Sequence, residues 1–412
     1  MNKNTITIPM QHQCNITIPS GWKIKTLGQI GTFLKGKGIT KSEIVETGKP
    51  CIRYGQIYSE YNYFVEEFKS FIDDVSAKNS NPIFKNDLLF AGSGETLEDI
   101  GKCVAYIKSD EAYAGGDIII LRLHSEDAHY LGYLLNSDEV KKQTFKLGQG
   151  HSVVHIYSSS LKNLKITLPP SQEQQKIAQI LSTWDKAIVL QQQLITQKKQ
   201  YKKAVMKKLL TGEIRFKGFE NSQWRLKSLE EVALFKNGKG HETVVVENGD
   251  FIIVNSKFIS TEGNVIKYTN HNLSPLNKDE ITLVMSDIPN GKALAKCFLV
   301  KYDNKYSLNQ RICSLKAKVG TDSRFLYYIL NRNQHFLGFN NGVSQTNLRK
   351  DEVLECPLMM PVIDEQKKIA SFLSGIDKEI NTLEKELIAL QLQKQGLMQK
   401  LLTGKLRVKT NN

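Results

Sequence analysis

The residues best able to do chemistry lie in a few polar, glycine-bearing stretches. Gly94 to Lys102, GETLEDIGK, has the composition of a phosphate-binding loop. Such a loop needs a glycine where Thr96 stands and a Ser or Thr where Cys103 follows the lysine, so the spacing fails. His151 and His155, in HSVVH, have the i, i+4 spacing of two metal ligands, but no third ligand lies near them in the sequence. A loop or cap role is expected for them instead. Asp127 with Glu139-Val140-Lys141 imitates a nuclease carboxylate cluster; on a helix, Glu139 and Lys141 point apart and form a solvated face. No glycine fingerprint follows a strand with an acidic residue suitably downstream, as a dinucleotide or adenosyl cofactor requires. No Gly-x-Ser-x-Gly elbow occurs. The cysteines (14, 51, 103, 297, 313 and 356) are scattered without a CxxC pair. That pattern suits reduced thiols in a cytosol rather than a zinc site or disulfide framework, and Cys103 and Cys297 read as buried packing residues. The chain is therefore expected to hold no metal and no cofactor.

The elements that carry these stretches come in two sets. Short extended runs at Cys51–Tyr54, Asp87–Phe90 and Asp117–Leu123 precede a helix expected over 126–146. A second set repeats the plan at Phe251–Val254, Ile281–Met285 and Arg311–Leu315, with a helix near 322–337. Apolar runs punctuated by Gly and Asn read as β-rich α/β modules. The repeat is explicit after each module. Residues 173–217 align without a gap on 365–409, with 19 identities in 45 pairs at an offset of 192; unrelated segments share about 3 on ordinary usage. Trp22, Phe33 and Gly36-Lys37-Gly38 match Trp224, Phe235 and Gly238-Lys239-Gly240 at an offset of 202. His151 and His155 correspond to Val343 and Asn347, so the histidine pair is not repeated.

Each repeated tail reads as a long helix. In the second, Ile369, Leu373, Ile376, Ile380, Leu383, Leu387, Leu390, Leu397 and Leu401 alternate in steps of four and three, broken by Lys394. That is a coiled-coil seam. The first carries Ile177, Leu181, Trp184, Ile188, Ile195, Val205 and Leu209, interrupted at Gln191, Lys198 and Lys202. Prolines and an acidic first turn start each helix, and Thr-Gly ends it. About 38 residues at ~1.5 Å give a rod of about 55–60 Å, and within one chain the simplest arrangement pairs the two rods antiparallel, with a homodimeric coiled coil as the alternative. The net charge of +14 and pI near 9.2 favour a polyanionic partner. No run of 18 apolar residues suggests a membrane span, and no signal-peptide core is seen at the N-terminus.

Tandem modules, each followed by a helix of the form Pro-x-x-x-Glu-Gln-x-x-Ile-Ala-x-x-Leu-Ser that ends in Leu-Leu-Thr-Gly-x-x-Arg, resemble the specificity subunit of type I restriction-modification systems. The residues are Pro169, Glu173-Gln174, Ile177-Ala178, Leu181-Ser182, Leu209–Gly212 and Arg215, and again Pro361, Glu365-Gln366, Ile369-Ala370, Leu373-Ser374, Leu401–Gly404 and Arg407. Ser344–Leu348 also looks like the family's lead-in to the second conserved region.

The resemblance implies an α+β chain: two α/β target-recognition domains in pseudo-twofold tandem repeat, joined by two long antiparallel coiled-coil helices. The boundaries expected are 1–168 for the first recognition domain (1–18 an N-terminal extension), 169–212 for the first helix, 213–360 for the second domain, and 361–412 for the second helix and tail. Each domain would read one half of a bipartite, asymmetric double-stranded DNA site. The helices would set the gap and dock two methylation subunits, with restriction subunits joining them. S-adenosylmethionine, ATP and Mg2+ would belong to those partners, in the cytoplasm, and this chain would not be catalytic. DNA contacts are then expected from lysines on phosphates and polar side chains on base edges: Lys35, Lys37, Arg53, Tyr54, Ser93 and Thr96 in the first domain, and Lys236, Lys239, His241, Asn255, Lys257 and Asn290 in the second. For helix and subunit interfaces the candidates are Glu173, Gln174, Ile177, Leu181, Trp184 and Leu209, with Glu365, Gln366, Ile369, Leu373, Leu387 and Leu401. The alternatives are a non-catalytic repeat scaffold, a DNA-binding module of another defence system, or a nuclease or methyltransferase in its own right.

Overall fold

The computed structural model describes residues 18–95, 100–150, 154–288, 291–340, 342 and 344–409. The chain forms two compact units, Met1–Gln191 with Glu386–Asn412, and Gln192–Lys385. Each holds one module and a segment of both long helices, Ser171–Leu210 and Ile363–Leu402.

In the first unit a four-stranded antiparallel sheet runs in the order Gly31–Lys35, Ile118–Leu123, Asp87–Ala91, Cys103–Ala105. The apolar run of Ile118–Leu121 is buried throughout because its two faces feed different cores. Ile119 and Leu121 pack with Leu88, Phe90, Leu131 and the long-helix residues Ile177, Leu181 and Leu401. Ile118 and Ile120 pack with Leu89, Val104 and Ile52. A five-stranded sheet, in which Lys49–Ile52 lies parallel to Ala112–Ala114, covers that second core. The second unit repeats the scheme. Ala233–Asn237, Ile312–Ala317, Ile281–Val284 and Cys297–Leu299 form the antiparallel sheet. Phe251–Val254 lies parallel to Tyr306–Leu308 in a three-stranded sheet.

Two expectations are corrected. The run Cys51–Tyr54 stops being a strand at Ile52; Arg53 caps a short helix, Tyr54–Ser59, because Gln56 Oε1 accepts from the Arg53 N–H at 2.9 Å. The helix expected over 126–146 is two, Ala128–Leu134 and Asp138–Leu147. Asn136 divides them: its amide donates to Gly132 O (2.7 Å) and Cys103 O (2.6 Å), a local and a long-range bond that compete with helix continuation.

Within each unit the long-helix segments run antiparallel. In the first, Lys394 meets Asp185 and Gln191 donates to Glu386; in the second, Lys198, Lys199 and Lys202 pair with Glu379, Glu384 and Asp377. The seam is thinner toward the helix middles, where Leu387 and Leu390 are half-buried while Ile376 and Ile380 are buried. Charging that seam with Leu387→Glu and Leu390→Glu is expected to cost about 2–4 kcal/mol, since two partly buried side chains lose their apolar contacts and bring unpaired carboxylates. Urea unfolding of the full chain measures it, and an unchanged midpoint would remove these leucines from the seam. Among the described residues no helix is long and apolar enough to cross a membrane.

Candidate DNA-facing site and its supporting clamps

The edge of each module is built around one backbone arrangement. In the first unit the loop Gly36–Gly38 is strapped to the end of the parallel strand by Lys37 N–H to Ala114 O (3.0 Å). A Cβ on Gly36 would lie 2.0 Å from Gly115 O, so only glycine permits the approach. In the second, Lys239 N–H bonds Leu308 O (3.1 Å), and a Cβ on Gly238 would lie 2.0 Å from Asn309 O. These straps leave Lys37 and Lys239 exposed. Beside them the neighbouring parallel strand ends at Arg53 or at Asn255, matched positions at the head of a short helix.

The first unit has a cavity of about 870 Å3 here, lined by Gly38, Thr40, Lys41, Arg53, Tyr54 and Lys69 among others. Arg53 Nε is buried and without a hydrogen-bond partner, and Tyr54 is exposed. A guanidinium so placed, beside lysines and an aromatic ring, can take a guanine edge or a phosphate. Lys35 is exposed on the adjoining strand. In the second unit, Asn255 Oδ1 caps its helix from Phe258 N–H (2.8 Å), and Lys257 is exposed. The structure thus gathers Lys37, Arg53 and Tyr54 at one edge, and Lys239, Asn255 and Lys257 at the corresponding edge, while Lys35 lies outside the cavity lining.

Two DNA-contact expectations, His241 and Ser93, are corrected, and a third residue, Lys236, is exposed but engaged within the chain. His241 is buried, with Nε2 2.7 Å from Ser307 Oγ and Nδ1 2.7 Å from Lys239 O. It braces the glycine loop from beneath. Ser93 is buried, its Oγ 3.0 Å from His155 Nδ1 and its carbonyl accepting from Tyr58 Oη. Lys236 turns back on its own chain, donating to Pro275 O and lying 3.8 Å from Glu280. Thr96 and Asn290 lie outside the described residues.

The Ser93–His155 contact has a counterpart that residue spacing alone does not show. Ser93-Gly94 pairs with Val154-His155, and Ser286-Asp287 pairs with Thr346-Asn347. Ser286 Oγ donates to Asn347 Oδ1 at 2.6 Å and accepts from Gln345 Nε2 at 2.9 Å. One scaffold position therefore carries histidine in one unit and asparagine in the other.

The repeated tail motif closes two matched clamps. In the first unit buried Glu173 accepts from Trp22 Nε1 (3.1 Å) and from Arg407 Nε and Nη2 (2.7 and 2.9 Å). In the second, Glu365 accepts from Trp224 Nε1 (3.1 Å) and from Arg215 Nε and Nη2 (2.9 and 2.6 Å). The carboxylate at the start of one helix is thus held by the arginine past the end of the other, which is why each motif needs its Glu and its Arg. Each carboxylate raises the pKa of its arginine through these bonds. Gln174 and Gln366 add the same joint to the module, accepting from Asp127 and Asp322 N–H and donating to Pro169 and Pro361 carbonyls.

A second pair of clamps uses the lysines that interrupt the seam. Tyr133 Oη donates to Asp185 (2.6 Å), which binds Lys394; Tyr328 Oη donates to Asp377 (2.7 Å), which binds Lys202. Lys394 is buried, 4.4 Å from the Tyr63 ring centroid and 5.3 Å from that of Tyr133. Burial first, then the hydrogen bond to aspartate, pushes both tyrosine hydroxyls up. The identity of Asp185, Asp377, Lys202 and Lys394 across the 192-residue offset was the available signal for this site. The tyrosines sit at another offset and gave none.

These contacts place the helix- and subunit-interface candidates in the helix interfaces. Glu173, Gln174, Ile177, Leu181, Leu209, Glu365, Gln366, Ile369, Leu373 and Leu401 are all buried inside their own chain, and only Trp184 and Leu387 are half-buried. They hold helix to helix and helix to module, and are not an open surface. The five described cysteines are buried as well. Desolvation pushes Cys51 up to about 11 and Cys313 and Cys356 up to about 12. These five thiols are expected to resist a thiol-directed reagent at pH 8 in the folded chain and to react in urea, since the thiolate is the nucleophile. Rapid native labelling of any of them, located by mass spectrometry, would contradict their burial.

A two-module fold with one scaffold, two different polar edges and mutually clamped helices defines a tandem recognition protein. The chain belongs to the type I restriction modification DNA specificity domain family, whose sequence profile matches residues 19–200 and 221–392. It is 26% identical over 430 residues to the type I restriction enzyme MjaVIII specificity subunit of Methanocaldococcus jannaschii, covering 96% of each chain. Its fold is similar to the type I restriction-modification S subunit of M. genitalium, with TM-score 0.58 at 18% identity over 98% of this chain and 99% of that one. It is also similar to the HsdS subunit of Thermoanaerobacter tengcongensis, with TM-score 0.52 at 16% identity over 96% and 100%.

Proposed function

We propose that this chain is the DNA-reading subunit of a type I restriction-modification assembly, with each module reading one half of a split, asymmetric site. The observation that carries this reading is the pairing of one scaffold with unlike reading groups. Arg53 and Asn255 occupy the same place in the two modules, as do His155 and Asn347. A guanidinium and a carboxamide prefer different base edges, guanine O6/N7 and adenine N6/N7 respectively. Exposed lysines at the strapped glycine loops supply sequence-independent phosphate attraction.

The long helices set the gap. Each runs for 40 residues, about 60 Å at ~1.5 Å per residue, against about 34–36 Å for a DNA turn. The partners are two methylation subunits and the restriction subunits. Those partners hold S-adenosylmethionine, ATP and Mg2+, and the work is done in the cytoplasm. This chain supplies recognition and no catalytic group.

Co-expression with the neighbouring methylation subunit, followed by long-read mapping of methyl-adenine across host DNA, tests the reading. A motif of two unequal halves with a constant gap is expected. A formed complex with no chain-dependent methylation would overturn it.

A further inference from the structure

Each unit has a cavity where its module meets the start of a long helix. The one in the first unit, about 540 Å3, is lined by Lys23, Lys25, Glu126, Pro169 and Gln174 among others. The one in the second, about 520 Å3, is lined by Arg225, Lys227, Thr321, Pro361 and Gln366 among others. The positions correspond one to one: the cations at an offset of 202, the proline and glutamine at 192, and Glu126 and Thr321 as the residues before the helix-capping Asp127 and Asp322.

The two cavities differ in their acidic group. In the first, the chain supplies a carboxylate of its own: Glu126 accepts from Lys25 Nζ and from Gln174 Nε2, each at 2.6 Å. In the second, Thr321 stands in that place. Gln366 Nε2 turns to Gly320 O at a longer 3.3 Å, and neither Arg225 nor Lys227 has an acidic partner among the described residues. Lys227 and the Gln366 amide stand where Lys25 and Gln174 hold Glu126, with Arg225 alongside, and the second unit lacks the carboxylate. The wall beside the cations is apolar, formed by Met360, Pro361, Val362 and Ile363, with Val362 exposed. Apolar exposure beside unpaired cations suits a protein surface better than a phosphate backbone.

We infer that the cavity beside the start of the second long helix is a socket for an Asp or Glu side chain of a partner protein subunit, taking the place that Glu126 fills in the first unit. The inference rests on the assembly proposed above and names the methylation subunit as the donor. It makes two otherwise alike positions unequal: one closed by its own carboxylate, the other completed in trans.

The test uses the full chain and the co-expressed methylation subunit. Thr321→Glu restores the internal carboxylate and is expected to weaken subunit association about tenfold, while Thr321→Gln leaves it near wild type. Arg225→Ala with Lys227→Ala is expected to weaken it similarly and to flatten its salt dependence. Wild-type affinity in both Thr321→Glu and the double alanine variant would overturn the socket. So would weakened DNA binding with unchanged subunit affinity, which would mark a phosphate site. The split methylated motif of the wild-type complex is read in a separate assay, so failure of the socket and failure of the assembly reading are distinguishable.

Discussion

Glu365→Ala is expected to destabilise the unit that contains it by about 3 kcal/mol, and more than any exposed substitution. The carboxylate is fully buried and accepts three hydrogen bonds, two from Arg215 and one from Trp224. Removing it strands a guanidinium and an indole N–H in a site with little water, and breaking a buried pair by deleting one partner costs about 3–5 kcal/mol. The lower end applies because the Arg215 side chain keeps 16% exposure and bonds to the Ser222 and Glu220 carbonyls. Glu365→Gln should lose about half as much, because the amide keeps one acceptor and the shape. Hydrogen exchange reads the effect. Amides of 363–373 and 209–217 should lose protection, while those of 171–181, around the Glu173 clamp, should keep it. Uniform loss in both units would mean that the clamps do not act locally.

Arg53→Ala is expected to relax base choice in one half of the DNA site by about 1–3 kcal/mol, up to about a hundredfold in discrimination at one position. The basis is its buried, unpartnered Nε at a cavity wall beside exposed Tyr54. The matched Asn255→Ala should relax the other half-site, but it also removes a helix cap, worth about 1 kcal/mol. Asn255→Asp keeps the cap oxygen and replaces the amide donor with charge, so it isolates the reading role. Methyl-adenine motifs from each variant complex are the measurement. Unchanged motifs in Arg53→Ala and Asn255→Asp would remove both residues from reading.

Much of this molecule was legible because repetition writes itself into a chain. The 192-residue offset exposed both long helices and the repeated Glu and Arg that form the clamps. The strands at 87–91, 118–121 and 281–284 were legible because both faces are buried, so apolar residues run without alternation. The interrupted helix at 135–137 was not, because Asn136 ends it through a bond to Cys103, 33 residues away. His241 and Ser93 looked like readers because a polar residue beside a glycine loop has the same local signature whether it faces solvent or braces the loop beneath.

The sequence by itself therefore determined the tandem plan, the helix lengths and the family, all of which depend on periodicity and short-range pattern. Only the tertiary structure decided which polar groups are spent. Lys202 and Lys394 change from flaws in a seam to cross-helix clamps, and the Glu-Gln pairs from candidates for a helix or subunit interface to internal joints. The physical reason is that a buried polar group is defined by its partners. Those partners lie far away along the chain, 151 residues for Trp22 and Glu173 and 209 for Lys394 and Asp185.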